Sequence, residues 1–167
     1  MRLFSIIIKS SGVKNMKTIE IDTKCGRIKG VEKENTTEWL GIKYATAKRW
    51  EYPQTVKKWD GVFDATYFKE CAIQHRAFLD DAKVNAFYHN EFRKGLEFTY
   101  SEDCLFLNIY APKNAKDCPV FIYIHGGSFT GGGSNEAHIN GTNFAKNGVI
   151  FVSLNYRLNA FGFCSHP

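Results

Sequence analysis

Residues 119–133 read Pro-Val-Phe-Ile-Tyr-Ile-His-Gly-Gly-Ser-Phe-Thr-Gly-Gly-Gly. The β-branched and aromatic residues of 120–124 predict a buried strand that ends at His125. Five of the next eight residues are glycine, which tolerates positive φ and lets other atoms approach the main chain closely. A glycine cluster after a core strand favours a cradle of backbone N–H groups, and such cradles bind negative charge.

Two anions suit a cradle of this kind: a bound phosphate, and the transient oxyanion that forms when a nucleophile attacks an ester carbonyl. The phosphate motifs fail on spacing, because G-x-x-x-x-G-K-S/T cannot be placed on residues 126–133. A G-x-G-x-x-G that begins at Gly131 has Glu136 where its last glycine belongs. The oxyanion interpretation remains, beside the simpler one that these residues are a mobile surface turn.

Four segments together resemble one known family. His125–Phe129 is similar to the H-G-G-G-type oxyanion motif of esterases and lipases with the α/β-hydrolase fold. Three more resemble motifs of the type-B carboxylesterases, the group that includes the cholinesterases. They are Glu102–Asn108 for E-D-C-L-x-L-N, Gly41–Ala45 for G-I-P-Y-A, and Asn155–Phe163 for N-Y-R-x-G-x-x-G-F. Their order and spacing also match, over roughly residues 20 to 165.

The resemblance implies an α/β protein with an incomplete α/β-hydrolase fold: a small N-terminal antiparallel meander, then the first strands of a doubly wound mixed sheet. It implies a serine esterase that works through an acyl-enzyme on a small carboxylic ester, without a cofactor. In the family pattern, the backbone N–H groups of Gly127 and Ser128 stabilise the oxyanion, and Gly126 contributes to the loop geometry. A third donor follows the nucleophile.

The nucleophile itself is missing from this sequence, because no G-x-S-x-G occurs in it. Ser128 is not expected to be the nucleophile, because residues 126–130 have Thr130 where the motif has its final glycine. Ser153 is not expected either, because it falls in a predicted strand. The family histidine comes from the far end of the chain, which argues against His125 and His138 as the base. We therefore expect residues 16–167 to be the N-terminal portion of one hydrolase domain, cut before the nucleophile elbow and inactive alone. The alternative is a non-catalytic, cholinesterase-like binding or adhesion module.

Composition and charge exclude several other classes. The net charge of the chain is +5, and the positive excess lies in residues 1–58, which contain 13 Lys and Arg and 6 acidic residues. These residues contain no run of five like charges, which argues against a nucleic-acid-binding surface. No apolar run is long enough to span a membrane. Residues 1–15 lack a full signal-peptide core and are expected to be a disordered tail or a mis-called start, so the protein is predicted to be cytoplasmic. The five cysteines contain no C-x-x-C, so no metal site is expected.

The remaining elements are predicted from pattern and turn signals. Segments 18–21, 26–31 and 39–42 predict the antiparallel meander. Strand 105–110 is expected to pair antiparallel with strand 119–124. A helix over 143–147, capped by Gly148, should lead into a buried parallel strand over 149–154. Residues 80–94 are expected to form one or two short helices.

Two contacts are implied by the resemblance. In the family the arginine at the position of Arg49 pairs with the glutamate of the E-D-C-L segment, here Glu102. The cysteines at 71 and 104 are expected to lie close together, and a cytoplasmic location would leave them unbonded. Residues 71–104 contain no tryptophan for cation–π binding of a quaternary ammonium, which disfavours a choline ester.

Overall fold

The computed structural model describes residues 17–75, 83 and 86–164. The prediction for residues 1–15 lies outside this part of the chain. Eleven strands lie in the described part: β1 Thr18–Thr23, β2 Gly26–Glu32, β3 Thr36–Lys43, β4 Ala45–Thr46, β5 Gln54–Thr55, β6 Val62–Asp64, β7 Cys71–Ala72, β8 Tyr100–Ser101, β9 Phe106–Pro112, β10 Val120–Ile124 and β11 Ile150–Leu154.

The described helices are short. They are α1 Ala86–Tyr88, continued by a π-helical turn His89–Arg93, then α2 Thr142–Lys146 and α3 Asn159–Phe163. In the described residues, none of the helices has the length and apolarity needed to cross a bilayer. The first two elements match the short helices expected within residues 80–94, and α2 with Gly148 at φ 82° matches the predicted capped helix.

One mixed sheet organises the molecule. Its strand order is β1-β2-β3-β9-β11-β10, with β6 beside β2. The antiparallel meander is confirmed, since β1 pairs with β2 from Thr18↔Val31 to Thr23↔Gly26 and β2 pairs antiparallel with β3. The meander is not a separate sheet: β3 also pairs antiparallel with β9, which makes it continuous with the strands that lead to the glycine loop.

The predicted pairing of β9 with β10 is wrong. β11 lies between them, antiparallel to β9 and parallel to β10. Alternating apolar residues identify a strand but do not identify its neighbours, and a short link such as 113–119 does not force adjacent pairing. The prediction that β11 is a parallel strand is confirmed by its pairing with β10. A helix precedes β11 in the sequence, as the crossover connection between two parallel strands requires.

The two faces of the sheet carry different side chains. On one face Tyr110 of β9 and Phe151 of β11 form a core with Ala145 of α2. On the other face Ile28, Trp39 and Ile42 form a second core, which has no described α-helix against it. Helices on both faces are the usual arrangement for α/β sheets, so α2 completes only one of the two layers.

The predicted ion pair of Arg49 with Glu102 is confirmed. The Arg49 Nε lies 2.9 Å from Glu102 Oε2, and a second, shorter hydrogen bond joins Arg49 Nη2 to Oε1. The guanidinium also lies 5.3 Å from the ring centroid of Phe161 in α3. A fork-shaped pair of this kind fixes the loop around residue 49 against both Glu102 and the last helix.

This ion pair predicts an acid-dependent loss of stability. Hydrogen bonds from Arg49 lower the pKa of the Glu102 carboxyl below its ordinary value of 4.5. A carboxyl with a lowered folded-state pKa stabilises the protein above its unfolded pKa, and this stabilisation disappears as pH falls through the folded value. Thermal unfolding at pH 7 and pH 3 should therefore show a smaller acid-induced loss in Arg49→Ala than in the parent. Equal losses would show that the pair contributes nothing.

The cysteines at 71 and 104 are both buried, 1% exposed each, and no disulfide joins them. They interact electrostatically, as predicted for neighbours: charge on Cys104 would raise the pKa of the Cys71 thiol. Burial is the main cause that raises the pKa of each thiol to about 12. Both groups therefore stay protonated at neutral pH.

Candidate functional site

The glycine loop starts at a buried histidine. His125, 4% exposed, directly follows β10, and its ring stacks on Tyr156 with centroids 4.4 Å apart. The Tyr156 hydroxyl donates a hydrogen bond of 2.6 Å to the carbonyl of His125. Burial lowers the pKa of the His125 imidazole, and its Nδ1 lies 2.9 Å from the carbonyl of Gly126. A neutral ring locked in this way holds the loop and is not placed to act as a base.

Two glycines of this loop are required by close packing against the loop's own backbone. Gly127 has φ 125°, and an added Cβ would lie 1.9 Å from the carbonyl oxygen of Gly131. Gly132 has φ 109°, and its Cβ would lie 2.5 Å from the carbonyl oxygen of Gly126. A Cβ on Gly126 would meet nothing within 4 Å. The loop therefore needs glycine at Gly127 and Gly132, where it folds back on itself, and a Cβ on Gly133 would lie 2.8 Å from the Sγ of buried Cys71.

The loop presents a run of N–H groups that have no internal acceptor. In the described part of the chain, the backbone N–H groups of Gly127 and Ser128 form no hydrogen bond, and neither do those of their neighbours Gly126 and Phe129. The carbonyl of Gly127 accepts from the N–H groups of Thr130 and Gly131, which closes the turn. Gly127 and Ser128 carry the two donors predicted for the oxyanion, and their role stays a prediction.

Ser128 and Phe129 both have left-handed backbone angles, with φ 52° and φ 61°. Phe129 gains a contact in return, because its ring packs on Phe163 at 4.5 Å between centroids. Ser128 is exposed. An L-residue in this conformation carries a cost of about 1–2 kcal/mol that glycine avoids.

Ser128→Gly should therefore stabilise the chain. We expect a gain of about 0.5–1 kcal/mol in the free energy of unfolding, since the relieved strain exceeds the extra backbone entropy that glycine brings to the unfolded state. Urea denaturation measures the difference. Phe129→Gly is the matched control, and it should lose stability because it also removes the contact with Phe163. A destabilised Ser128→Gly would contradict the strain argument.

Buried amide side chains hold the far end of the loop. Gln74, 2% exposed, accepts from the N–H of Gly132 at 2.9 Å and donates to the carbonyl of Gly132 at 2.8 Å. Asn155 accepts from the N–H of Ser134 at 2.7 Å, and Asn108 donates to the Ser134 hydroxyl at 2.9 Å. These hydrogen bonds arrange the loop before any ligand binds.

Sequence reasoning assigned no role to these three amides. Asn108 and Asn155 lie within two of the quoted motifs, and that position was the available signal. Gln74 lies in none of them, and a glutamine is exposed in most proteins. Only the fold shows that the Gln74 side chain pairs with the loop backbone as a neighbouring strand would.

A cavity of about 260 Å³ opens beside Gly127, whereas Ser128 does not line it. Gly126 and Gly127 form one side of it, and Tyr88, Glu136 and His138 form another. The Tyr88 hydroxyl donates to the Glu136 carboxylate at 2.5 Å, and the Glu136 carboxylate lies 3.9 Å from the Nδ1 of His138. The volume of this cavity approaches the lower end of the range for small-molecule sites.

The described residues hold no complete catalytic set. Ser153, 0% exposed in β11, receives a hydrogen bond from Asn108, so it is a core residue. Between residues 17 and 75 and between 86 and 164, no serine hydroxyl is hydrogen-bonded to a histidine. The same residues contain no group of His, Cys, Asp or Glu arranged for a metal ion. The arrangement can therefore stabilise a developing negative charge but does not itself supply a nucleophile and base.

Comparison with known proteins gives consistent matches. The sequence model described as "Carboxylesterase family" matches residues 17–166. The para-nitrobenzyl esterase of Bacillus subtilis is 34% identical over 149 residues, which cover 86% of this chain and 28% of that protein. The acetylcholinesterase of Bungarus fasciatus is 33% identical over 163 residues, which cover 89% of this chain and 25% of that protein.

Solved structures match as well. A PNB esterase aligns with a TM-score of 0.71 and 33% identity over 86% of this chain and 29% of its own. A carboxylesterase of Geobacillus stearothermophilus aligns with a TM-score of 0.69 and 35% identity over 86% of this chain and 27% of its own. Over these matches the chain spans between 25% and 29% of the relatives' length.

Proposed function

The chain belongs to the carboxylesterase family, and on that premise we propose that its full-length form hydrolyses small carboxylic esters through a serine acyl-enzyme. In this proposal, residues 125–133 supply the oxyanion-hole loop. The N–H groups of Gly127 and Ser128 stabilise the tetrahedral oxyanion, and a further donor comes from the residue after the nucleophile. The 167-residue chain alone is inactive, because it contains no G-x-S-x-G.

The observation that carries this proposal is the glycine loop. The backbone N–H groups of Gly127 and Ser128 lack an internal acceptor among the described residues, as do those of Gly126 and Phe129, and Gly127 lines a cavity of about 260 Å³. The loop is held by side chains at both ends, through the half-buried Tyr156 at His125 and the buried Gln74 at Gly132. Donors fixed before the reaction need no reorganisation when charge develops, which is the basis of oxyanion stabilisation.

A non-catalytic binding module is the less favoured alternative. Such a module has no need for unpaired N–H donors in a loop whose glycines at 127 and 132 are sterically required. Translating the source DNA in frame past the codon for Pro167 separates the two proposals. A G-x-S-x-G within a few tens of residues supports the esterase, whereas an in-frame continuation with another residue in place of the serine supports the module.

A chimera tests whether the loop can act in catalysis. Residues 17–164 would replace the matching part of the Bacillus subtilis para-nitrobenzyl esterase, which is 34% identical. The host then supplies the catalytic groups that this chain lacks. We expect the chimera to hydrolyse para-nitrophenyl acetate and the 167-residue chain to show no rate above the uncatalysed one. A folded chimera without activity would contradict the proposed role of the loop.

We also propose a cytoplasmic location, as the sequence led us to expect. It rests on the odd number of cysteines, five, and on the free thiols of Cys71 and Cys104. Thiol counting under denaturing conditions, on protein isolated from its source with alkylated cysteines, tests it. Five free thiols support the cytoplasm, and three with a Cys71–Cys104 disulfide indicate an oxidising compartment.

A further inference from the structure

Two Asn-Gly pairs flank helix α2. Asn140-Gly141 precedes the helix, and Asn147-Gly148 follows it. An asparagine can lose its side-chain amide when the backbone nitrogen of the next residue attacks its side-chain carbonyl carbon, which makes it a thermolabile residue. Glycine obstructs this attack least, because it has no Cβ. Both asparagines are exposed, so their hydrogen bonds are what distinguishes them.

The Asn140 side chain is held in an arrangement that favours the attack. Its Oδ1 accepts a hydrogen bond of 2.9 Å from the backbone N–H of Thr142. A donor at this oxygen stabilises the negative charge that the attack places there. Within the described residues, neither the Asn140 Nδ2 nor the Gly141 N–H forms a hydrogen bond. The leaving group and the attacking nitrogen are therefore both available.

Asn147 has the opposite arrangement. Its Nδ2 donates a hydrogen bond of 2.8 Å to the carbonyl of Asn143. The N–H of Gly148 donates to the carbonyl of Ala145 at 3.1 Å. The leaving group and the attacking nitrogen of this pair are thus each engaged. Because both hydrogen bonds must break before the attack, the fold slows the reaction at Asn147.

We propose that Asn140 is a site of spontaneous deamidation and that Asn147 is protected by its hydrogen bonds. The Gly141 nitrogen forms a bond to the side-chain carbonyl carbon of Asn140, and the bond from that carbon to Nδ2 breaks. The proton of the Gly141 N–H passes through solvent to the amide, which leaves as ammonia, and a cyclic succinimide remains. Water then opens the ring at either carbonyl, which leaves aspartate or isoaspartate at position 140. The proposal does not depend on ester hydrolysis.

Isoaspartate at position 140 would disturb packing that aspartate leaves intact. Its main chain runs through the side-chain carbonyl, which adds one backbone atom before Gly141. Gly141 is buried, and an added Cβ on it would lie 2.5 Å from Cδ1 of Phe151, so little room remains there. The carbonyl of Gly141 also accepts from the N–H of Ala145, which packs with Phe151 in the core. The longer backbone therefore loosens α2 from the sheet.

The modified position is also close to the candidate site. His138 and Ile139, which directly precede it, line the cavity beside Gly127. The N–H of Ile139 donates to the carbonyl of Glu136 at 2.9 Å, and this turn leads into position 140. An extra backbone atom after the turn displaces it. Isoaspartate that accumulates with age would therefore change one side of the cavity.

The 167-residue chain provides the test, with Asn147 as an internal control. Samples are kept in mildly alkaline buffer, with and without concentrated urea, and peptide mapping by mass spectrometry follows the two sites. Trypsin cleaves after Lys146, so the sites fall in different peptides. In urea, we expect similar rates, because both sites are Asn-Gly pairs. In buffer, Asn140 should react at least about tenfold faster than Asn147, since two hydrogen bonds hold the second site.

Two variants test the origin of the product and its effect on the fold. Asn140→Ala removes the reacting amide, so no isoaspartate should accumulate at this position. Asn140→Asp carries the charge of the isoaspartate product on a normal backbone. Aged parent chain, in which isoaspartate has accumulated, should therefore unfold at a lower urea concentration than fresh Asn140→Asp.

Three results would overturn the assignment of Asn140. The first is the same ratio of the two rates in buffer and in urea, because the fold would then not distinguish the sites. The second is an Asn140 that stays intact in buffer while it reacts in urea. The third is a faster reaction at Asn147 in buffer. An aged chain as stable as Asn140→Asp would overturn the loosening of α2.

Discussion

Gly127→Ala is expected to lower the kcat of the chimeric esterase by about 10²–10³-fold, the usual cost of losing one oxyanion donor. The methyl group would lie 1.9 Å from the carbonyl oxygen of Gly131. The alanine at position 127 would also have to adopt a backbone φ of 125°, which is strained for any residue with a Cβ. Because neither can be accommodated, the backbone must move, and the N–H groups of residues 127 and 128 move with it.

The matched control for this variant is Gly126→Ala. An added Cβ at Gly126 meets nothing within 4 Å, so the same chemical change next in the chain should leave kcat within about threefold of the parent. The KM for para-nitrophenyl acetate separates the effects, because a donor used only in the transition state lowers kcat and leaves KM unchanged. An equal loss of kcat in both variants would assign the effect to general damage of the loop.

Gln74→Leu is expected to lower the free energy of unfolding of the 167-residue chain by about 2–4 kcal/mol, since it leaves two buried backbone groups without partners. Those groups are the N–H and the carbonyl of Gly132, which the glutamine amide pairs at 2.9 and 2.8 Å. Gly132 in turn lies against His125 and Gly126, so the loss extends to the start of the loop. Urea denaturation followed by circular dichroism measures the change.

Two further variants separate the hydrogen bonds of Gln74 from its packing. Gln54→Leu, at an exposed position of β5, should change stability by less than about 0.5 kcal/mol. Gln74→Glu keeps the acceptor for the Gly132 N–H but turns a carboxylate oxygen towards two carbonyls, those of Gly132 and Ala72. Protonation restores a donor there, so this variant should regain stability relative to the parent as pH falls. A stability difference between Gln74→Glu and the parent that does not change with pH would show that hydrogen-bond donation by residue 74 does not hold the loop.

Much of the site could be predicted from sequence because its chemistry depends on backbone conformation. Glycine is the residue type that tolerates positive φ and contact with another main chain, so a glycine cluster after an apolar strand reports a backbone requirement directly. The structure places Gly127 at φ 125° and Gly132 at φ 109°, as such a cluster suggests. The pair of Arg49 and Glu102 was predictable for a different reason, namely that both residues stand in matching family positions.

The buried side chains that hydrogen-bond to the loop were not predictable in the same way. The sequence around a buried glutamine such as Gln74 does not differ in kind from that around an exposed one. Only the fold brings the Gln74 Oε1 within 2.9 Å of the backbone nitrogen of Gly132, which lies 58 positions along the chain. The position of β11 between β9 and β10 is a similar case. Competition among contacts between distant parts of the chain decides which strands pair. The alternation of apolar and polar residues within one strand carries no information about that choice.

The sequence by itself determined the six strands β1, β2, β3, β9, β10 and β11, the glycine loop and the family, because these depend on local backbone preference and on short motifs in a constant order; the short strands β4 to β8 had no such signal. Tertiary structure alone decided the strand order, the hydrogen bonds of Gln74 to Gly132, and the burial of the Trp39 and Trp59 indole N–H groups without a partner among the described residues. Each of these arises when residues far apart in the chain are brought together and removed from water. A hydrogen bond or a burial made in that way has no local signature, since its cost and its gain exist only in the folded state.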